Sequence, residues 1–482
     1  MFIGRESEMK FLNERYQSPN AELIVLYGRR RVGKTELIKE FCKDKNHIFY
    51  LCNEYTNNVQ LANFSKKILG YNANNLISDS FSDWERAFNY LGELSSDEKI
   101  VIVIDEFPYM VKGDKSIPSI LQGIWDHNLM HKNIMLILSG SSMSFFENEI
   151  LGYKNPLYGR STGIYKLEPL EYTDAVKFFP NYSNEDKLIA YAILGGIPHY
   201  LKQFNPDESL EENIIKKVLT KGTILFGEVD YLIHQELREP AVYNSIIEAI
   251  AAGCNTFSKI IDHSKIDSQK ITVYLKNLTE LGIIKKEFST SATTKDKANN
   301  SKGEYIICDN LFNFYYKYIF PYMGEYELAK SNILWNALIK NDLHHFSSRA
   351  FENVCIGYLY NLASDGELPG AFINFGRWWG KTTHKTPEGK LVTTPEEIDI
   401  LGVDITKNNY ILGECKFRNS EFTYSQYDDL TKKINLSGNI YYYLFSLSGF
   451  SSSLVELANN SSNIKLITLD NIFEWLFTIS VS

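Results

Sequence analysis

Three groups of residues in this 482-residue sequence have types and spacings that could do chemistry. The first is Gly28-Arg29-Arg30-Arg31-Val32-Gly33-Lys34-Thr35, a G-x-x-x-x-G-K-T run. Gly28 and Gly33 allow a tight loop whose N–H groups cradle phosphate oxygens. Lys34 would reach the β- and γ-phosphates of ATP, and Thr35 would give a hydroxyl to Mg2+. The second group is Asp105-Glu106. Asp105 would hold that Mg2+ through water, and Glu106 would orient or deprotonate the attacking water. Ser141, in Ser139-Gly140-Ser141-Ser142, is placed to sense the γ-phosphate, and Arg160 to reach one, that of a neighbouring subunit. An ordinary serine-rich turn and a salt-bridged surface arginine are the bland alternatives. The third group is acidic: Glu397 and Asp399, then Glu414-Cys415-Lys416.

Elements must position these side chains. Residues 23–27 are a continuous apolar run, as a strand buried on both faces requires, and a helical pattern follows the lysine at 36–41. Residues 100–104 and 134–138 are two more such runs, each ending at a polar group named above; 164–167 is a fourth strand. In the last third, 335–362 has a helical pattern with Glu352 on it. Residues 371–375 form a strand, 376–380 a polar loop around Arg377, and 381–394 a Lys/Thr-rich stretch. Strands follow over 396–404 and 410–417, then a helix with Gln426 and a strand at 440–445. Residues two apart on a strand share a face, so Glu414 and Lys416 point together, as do Glu397 and Asp399. If the two strands pair as a hairpin, Asp399, Glu414 and Lys416 converge. Two carboxylates suit Mg2+ or Mn2+, which would acidify a bound water, and the lysine would stabilise the transition state. On spacing alone, a hairpin with a surface Glu-x-Lys ion pair is an open alternative.

Residues 241–286 contain three short helical patterns, the third capped by Asp267/Ser268 and ended by Gly282. Two strands, 283–286 and 304–307, flank a polar segment with Lys295, Lys297 and Lys302. The pattern is a helix-turn-helix with a two-stranded wing. The outer face of its third helix offers Gln269, Lys270, Thr272, Lys276 and Asn277 to phosphates and base edges. No arginine on that face reads guanine, and lysines on a helix are equally compatible with plain solvation.

Composition limits the partners. The formal net charge of −9 argues against indiscriminate coating of DNA but leaves room for a local basic groove. No stretch approaches a membrane span, the start is not a signal peptide, and six scattered cysteines without a CxxC pair fit a reducing cytoplasm.

Taken in order, Phe2-Ile3-Gly4-Arg5-Glu6, the P-loop, residues 103–107, residues 139–142 and Gly195-Gly196-Ile197-Pro198 resemble the archaeal/bacterial P-loop ATPases near the STAND and origin-recognition branches of AAA+. The resemblance implies that Gly4, Arg5 and Pro198 flank the adenine. It implies a mobile helical lid and a following winged helix. The C-terminal pattern resembles the PD-(D/E)xK nucleases, although Ile398 rather than proline precedes the acid. That resemblance makes Asp399, Glu414 and Lys416 catalytic, and Glu352, Asp399, Glu414 and Cys415 metal positions. The expected architecture is α/β multidomain: an AAA+ core over 1–168, a lid over 169–232, a winged helix over 233–328 and a restriction-endonuclease-like domain over 329–482. The expected function is an ATPase that regulates a metal-dependent nuclease acting on DNA. The alternative is an ATP-driven regulatory or scaffolding switch that binds DNA or protein without cutting; a translocating motor ranks last. Arg160 acting in trans implies a homo-oligomer through the ATPase domain, and a monomer with a silent Arg160 reads equally well.

Overall fold

The computed structural model describes residues 2–71, 80–152, 155–297, 302–328, 330–385 and 391–479. The chain forms two compact units, Met1–Asp174 with Gly196–His199, and Ala175–Gly195 with Tyr200–Ser482.

The first unit is built on a parallel sheet. Its strands are β1 (Glu22–Tyr27), β2 (His47–Leu51), β3 (Ile100–Asp105), β4 (Ile134–Gly140) and β5 (Gly163–Lys166), in the order β2-β3-β4-β1-β5. Every residue of β1, β3 and β4 is buried. Apolar clusters lie on both faces, one around Leu23, Val25 and Ile102, the other around Ile24, Leu26 and Val103. Such runs cannot tolerate polar alternation because neither face meets water. The helix α1 (Lys34–Cys42) follows β1, and α2 (Ile117–His127) lies between β3 and β4. The strand order sets the carboxyl ends of β3, β4 and β1 side by side, the usual place for a ligand in an open α/β sheet.

The first long helix of the second unit is α3 (Asn184–Leu194), which packs against a later helix. Further along are α4 (Pro240–Ala251), α5 (Phe257–Ser264) and α6 (Ser268–Glu280), then an antiparallel hairpin of β6 (Ile284–Glu287) and β7 (Glu304–Ile307). Asp267 caps α6 by accepting from the Gln269 N–H at 2.8 Å. Ile271, Leu275 and Leu278 form its buried stripe. The middle of the connecting segment, 298–301, lies outside the described residues.

A second sheet ends the chain: β8 (Phe372–Lys385), β9 (Leu391–Asp404), β10 (Asn409–Lys416), β11 (Asn439–Ser446) and β12 (Ile464–Thr468), ordered β12-β11-β10-β9-β8. The three strands β8, β9 and β10 form an antiparallel meander; β11 and β12 add in parallel. The preceding helix is α7 (Leu343–Ser364), along which α3 packs, and α8 (Tyr424–Lys432) joins β10 to β11.

Two sequence expectations change here. The polar loop at 376–380 and the Lys/Thr stretch at 381–394 are strand, apart from 386–390, which lie outside the described residues. Register shifts between Phe372 and Phe375 and between Gly376 and Trp378 break the two-residue alternation that signals a strand. Beyond them, threonines pair across the ladder, Thr382 with Thr394 and Thr383 with Thr393. The single helix expected over 335–362 is interrupted after a π-turn at Trp335–Ile339. Asp342 there takes hydrogen bonds from Lys317 and Tyr318, and α7 begins at the next residue.

Candidate functional site

The nucleotide candidates converge. Gly33 adopts φ 98° at the entry to α1, a conformation that a side chain resists. Lys34 folds over the loop and donates to the carbonyls of Gly28 at 2.8 Å and Arg29 at 2.9 Å. Thr35 Oγ1 donates to Asp105 Oδ2 at 2.8 Å, so the hydroxyl of α1 and the carboxylate of β3 meet. That oxygen pair fits a hard cation such as Mg2+, which takes one or two protein oxygens and keeps water on the rest. Glu106 is held left-handed at φ 53°, and its Oε2 accepts from Ser141 Oγ at 3.2 Å and from the Ser141 N–H at 3.4 Å. The serine at the end of β4 therefore aims the glutamate at the end of β3.

The N-terminal box and the Gly-x-Pro segment reach the same loop. Arg5 is buried; it donates to the Val32 carbonyl at 3.0 Å and pairs with Glu8 at 2.7 Å. Gly4 lies against Asp174. A Cβ on Gly33 would sit 3.7 Å from Pro198 Cγ, and Arg31 contacts His199 at 3.0 Å. Arg5, Arg31 and Glu106 all have positive φ, so backbone strain gathers at this site. A cavity of about 480 Å3 opens beside the box, lined among others by Arg5, Glu8, Tyr165, Lys166 and Asp174. Arg29 and Arg30 sit at the loop's start. Arg160 is turned to α2, where it makes a two-point ion pair with Asp126 at 3.1 and 3.3 Å.

The acidic candidates also meet. The β9–β10 ladder pairs Gly413 with Ile400, and the same register sets Asp399 opposite Glu414. The Cys415 N–H donates to Asp399 Oδ2 at 2.8 Å. Glu414 is buried and accepts from Lys416 at 2.6 Å and from Lys433, just past α8, at 2.9 Å. Glu352, on α7, accepts from Arg349 at 2.6 Å. Burial, then the charges of Glu414 and Glu352, push the Asp399 carboxyl up to about 7 against the pull of the Cys415 amide and Lys416. Burial likewise raises Glu352, opposed by Arg349 and Arg377. Carboxylates crowded in this way are the chemistry a divalent cation would suit, and Asp399 and Glu414 are the two oxygen donors that face each other across the ladder. No three His, Cys, Asp or Glu side chains among the described residues are grouped as a metal cage, and lysines balance Glu414 instead.

Cys415 stands apart from this set. Its side chain is buried against Cys355, on the strand face opposite to Glu414 and Lys416, and burial holds the thiol well above its ordinary pKa. Gln426 caps α8, accepting from the Thr423 N–H at 3.0 Å. On α6, Gln269, Lys270, Thr272 and Lys276 are exposed, with Lys276 3.6 Å from Glu280. Asn277 turns inward instead and donates to the Tyr243 hydroxyl at 2.7 Å. Sequence reasoning passed over Lys433, Arg349 and Arg377. Arg349 had a usable signal, standing one helical turn before Glu352.

Residues 2–204 match a family model described as an ATPase domain predominantly from Archaea. Residues 315–429 match one described as archaeal and bacterial proteins of unknown function. An uncharacterized protein of Methanocaldococcus jannaschii is 34% identical over 441 residues, 91% of this chain and 93% of that one. An uncharacterized ATP-binding protein of the same organism is 53% identical over 45 residues, 9% of this chain and 76% of that one. Among solved structures, the Walker-type ATPase of Pyrococcus abyssi has a TM-score of 0.51 at 22% identity, covering 65% of this chain and 96% of that chain, a likeness of fold.

Proposed function

The chain belongs to the family of that larger M. jannaschii relative, and from its own matches to an ATPase domain predominantly from Archaea and to a C-terminal domain of unknown function we propose an ATP-hydrolysing protein that controls a metal-dependent nuclease domain acting on DNA. The observation that carries the ATPase half is the closed set Thr35–Asp105 and Ser141–Glu106 at adjacent strand ends. Lys34 exchanges its two loop carbonyls for phosphate oxygens. Glu106, aimed by Ser141, accepts the proton of the attacking water or fixes its lone pair. Thr35 and Asp105 would hold Mg2+, whose charge would offset that of the phosphates. Gly4, Arg5 and Pro198 border the base.

In this reading the chain divides into a core (1–168), a lid (169–232), a winged helix (233–328) and a restriction-endonuclease-like domain (329–482). Asp399 and Glu414 would hold a second Mg2+ or Mn2+, which would supply the charge that activates water there, and Lys416 would steady charge at the reacting phosphate. Glu352 supplements the acids. Gln269, Lys270 and Lys276 contact the DNA backbone.

A second reading is an ATP-driven switch that binds DNA or protein without cutting. It is favoured by the double lysine saturation of Glu414. Wild type and Asp399→Ala, incubated with Mg2+ or Mn2+, with and without ATP, on plasmid, linear and single-stranded DNA, separate the two. Metal-dependent cutting by wild type alone is the expected result. ATP hydrolysis with no cutting of any substrate would leave the switch.

A further inference from the structure

The β6–β7 hairpin is stitched to β8 beside the acid cluster. Glu287, the last residue of β6, accepts from Arg349 Nη2 at 2.8 and 2.6 Å and from Arg377 Nη1 at 3.3 Å. Just beyond it, the Thr290 N–H donates to the Arg377 carbonyl at 2.9 Å, and the Trp379 N–H to Ser289 Oγ at 3.2 Å. The side chains are largely enclosed: Arg377 is 16%, Glu287 18% and Arg349 30% exposed. Arg349 also holds Glu352 on α7, and Arg377 pairs with Glu397, which shares a face of β9 with Asp399 two residues on. The two guanidiniums therefore converge at the rim of the acid cluster.

Glu287 is surplus to charge balance there. Arg349 already has Glu352, and Arg377 already pairs with Glu397 and lies 3.8 Å from Glu304. Two arginines focused on one carboxylate offer the fork geometry that also receives a phosphate. Carboxylate and phosphodiester each present two acceptor oxygens carrying one negative charge. Glu287, the one carboxylate among these that both arginines share, comes from the hairpin and not from the sheet that carries the acids.

We infer that Arg349 and Arg377 form a binding site for a DNA backbone phosphate next to Asp399, and that Glu287 occupies this site as a built-in competitor. The inference rests on reading the C-terminal sheet as a nucleic-acid-processing site. DNA reaching the acids displaces Glu287 from the two arginines. The hairpin then releases β8, because the Thr290 and Ser289 contacts flank the same position.

The test is fluorescence anisotropy of a fluorescein-labelled DNA duplex with the full chain in EDTA, where binding is read without cutting. Exchanging one charge-assisted contact for a neutral one in Glu287→Gln is expected to tighten binding about tenfold. Adding Arg377→Gln to Glu287→Gln should abolish the gain. Unchanged affinity in Glu287→Gln, or a gain that survives the second substitution, overturns the inference. ATP hydrolysis and the thermal midpoint report folding. If Glu287→Gln does not fold, Glu287→Asp, which draws the carboxylate back by one methylene, carries the same expectation at smaller size. Cleavage in Mg2+ keeps the two readings distinct. Tighter binding by Glu287→Gln with no cutting by either protein sinks the nuclease and leaves this site standing. Cutting by wild type with no response to Glu287→Gln does the reverse.

Discussion

A glutamate that handles water during phosphoryl transfer must be both unencumbered and aimed. Glu106 meets both needs through one neighbour: its strained φ of 53° lifts it off β3, and Ser141 is its hydrogen-bond donor. The two residues therefore differ in what their loss costs. Glu106→Gln keeps shape and the Ser141 contact but cannot accept a proton. Its ATP hydrolysis rate should fall by about a hundredfold or more while nucleotide binding stays close to wild type. Ser141→Ala leaves the base in place and frees it to wander, so a loss of about tenfold in kcat with little change in KM is expected. Steady-state hydrolysis together with binding of a fluorescent ATP analogue checks both. Equal losses in the two variants would mean that Ser141 touches the nucleotide itself and not only the glutamate.

At the scale of elements, the acid cluster depends on the register of one turn. Asp404, closing β9, accepts from the N–H groups of Asn408 and Asn409, from Thr406 Oγ1 and from Asn409 Nδ2. Removal from solvent raises its pKa, but these donors prevail and bring it to about 2. A carboxylate depressed on folding stabilises above its unfolded pKa, and that contribution is lost as the pH falls toward the folded value. The thermal midpoint of wild type should thus drop between about pH 4 and pH 2 more steeply than that of Asp404→Asn, which has nothing to titrate there. Matching acid slopes would remove Asp404 as the guardian of the register. Much of this was readable in advance: the P-loop and the buried strands are contiguous runs, and alternation put Glu414 with Lys416 and Glu397 with Asp399, leaving only the hairpin pairing of the two strands to be assumed. Strand β8 was not, because its bulges scramble the alternation. Nor was the Glu287–Arg349–Arg377 junction, whose members stand 62 and 90 residues from Glu287 and are joined only by tertiary packing.

Across the whole molecule, charge decides how DNA can be held. A chain of net charge −9 repels a polyanion at a distance, so contact must be local and few-pointed. Under the proposed function such contacts would come from the exposed lysines of α6 and the hairpin segment, Lys270, Lys276, Lys295, Lys297 and Lys302. Lys276 shares its charge with Glu280 in an exposed pair that water and salt readily break. If about three phosphates are neutralised, the logarithm of the binding constant should fall against the logarithm of salt with a slope of about −3. A slope twice as steep would place the binding surface elsewhere on the chain. The same titration repeated with ATP examines the link to the nucleotide site. Coupling between two binding events is reciprocal, so any factor by which ATP changes affinity for DNA must reappear as the factor by which DNA changes affinity for ATP. Salt slope unchanged and both affinities shifted by one common factor is the expected pair of results. A shift in DNA affinity without its mirror in ATP affinity would trace the effect to hydrolysis during the measurement, and Glu106→Gln, which binds without turning over, would then restore the symmetry.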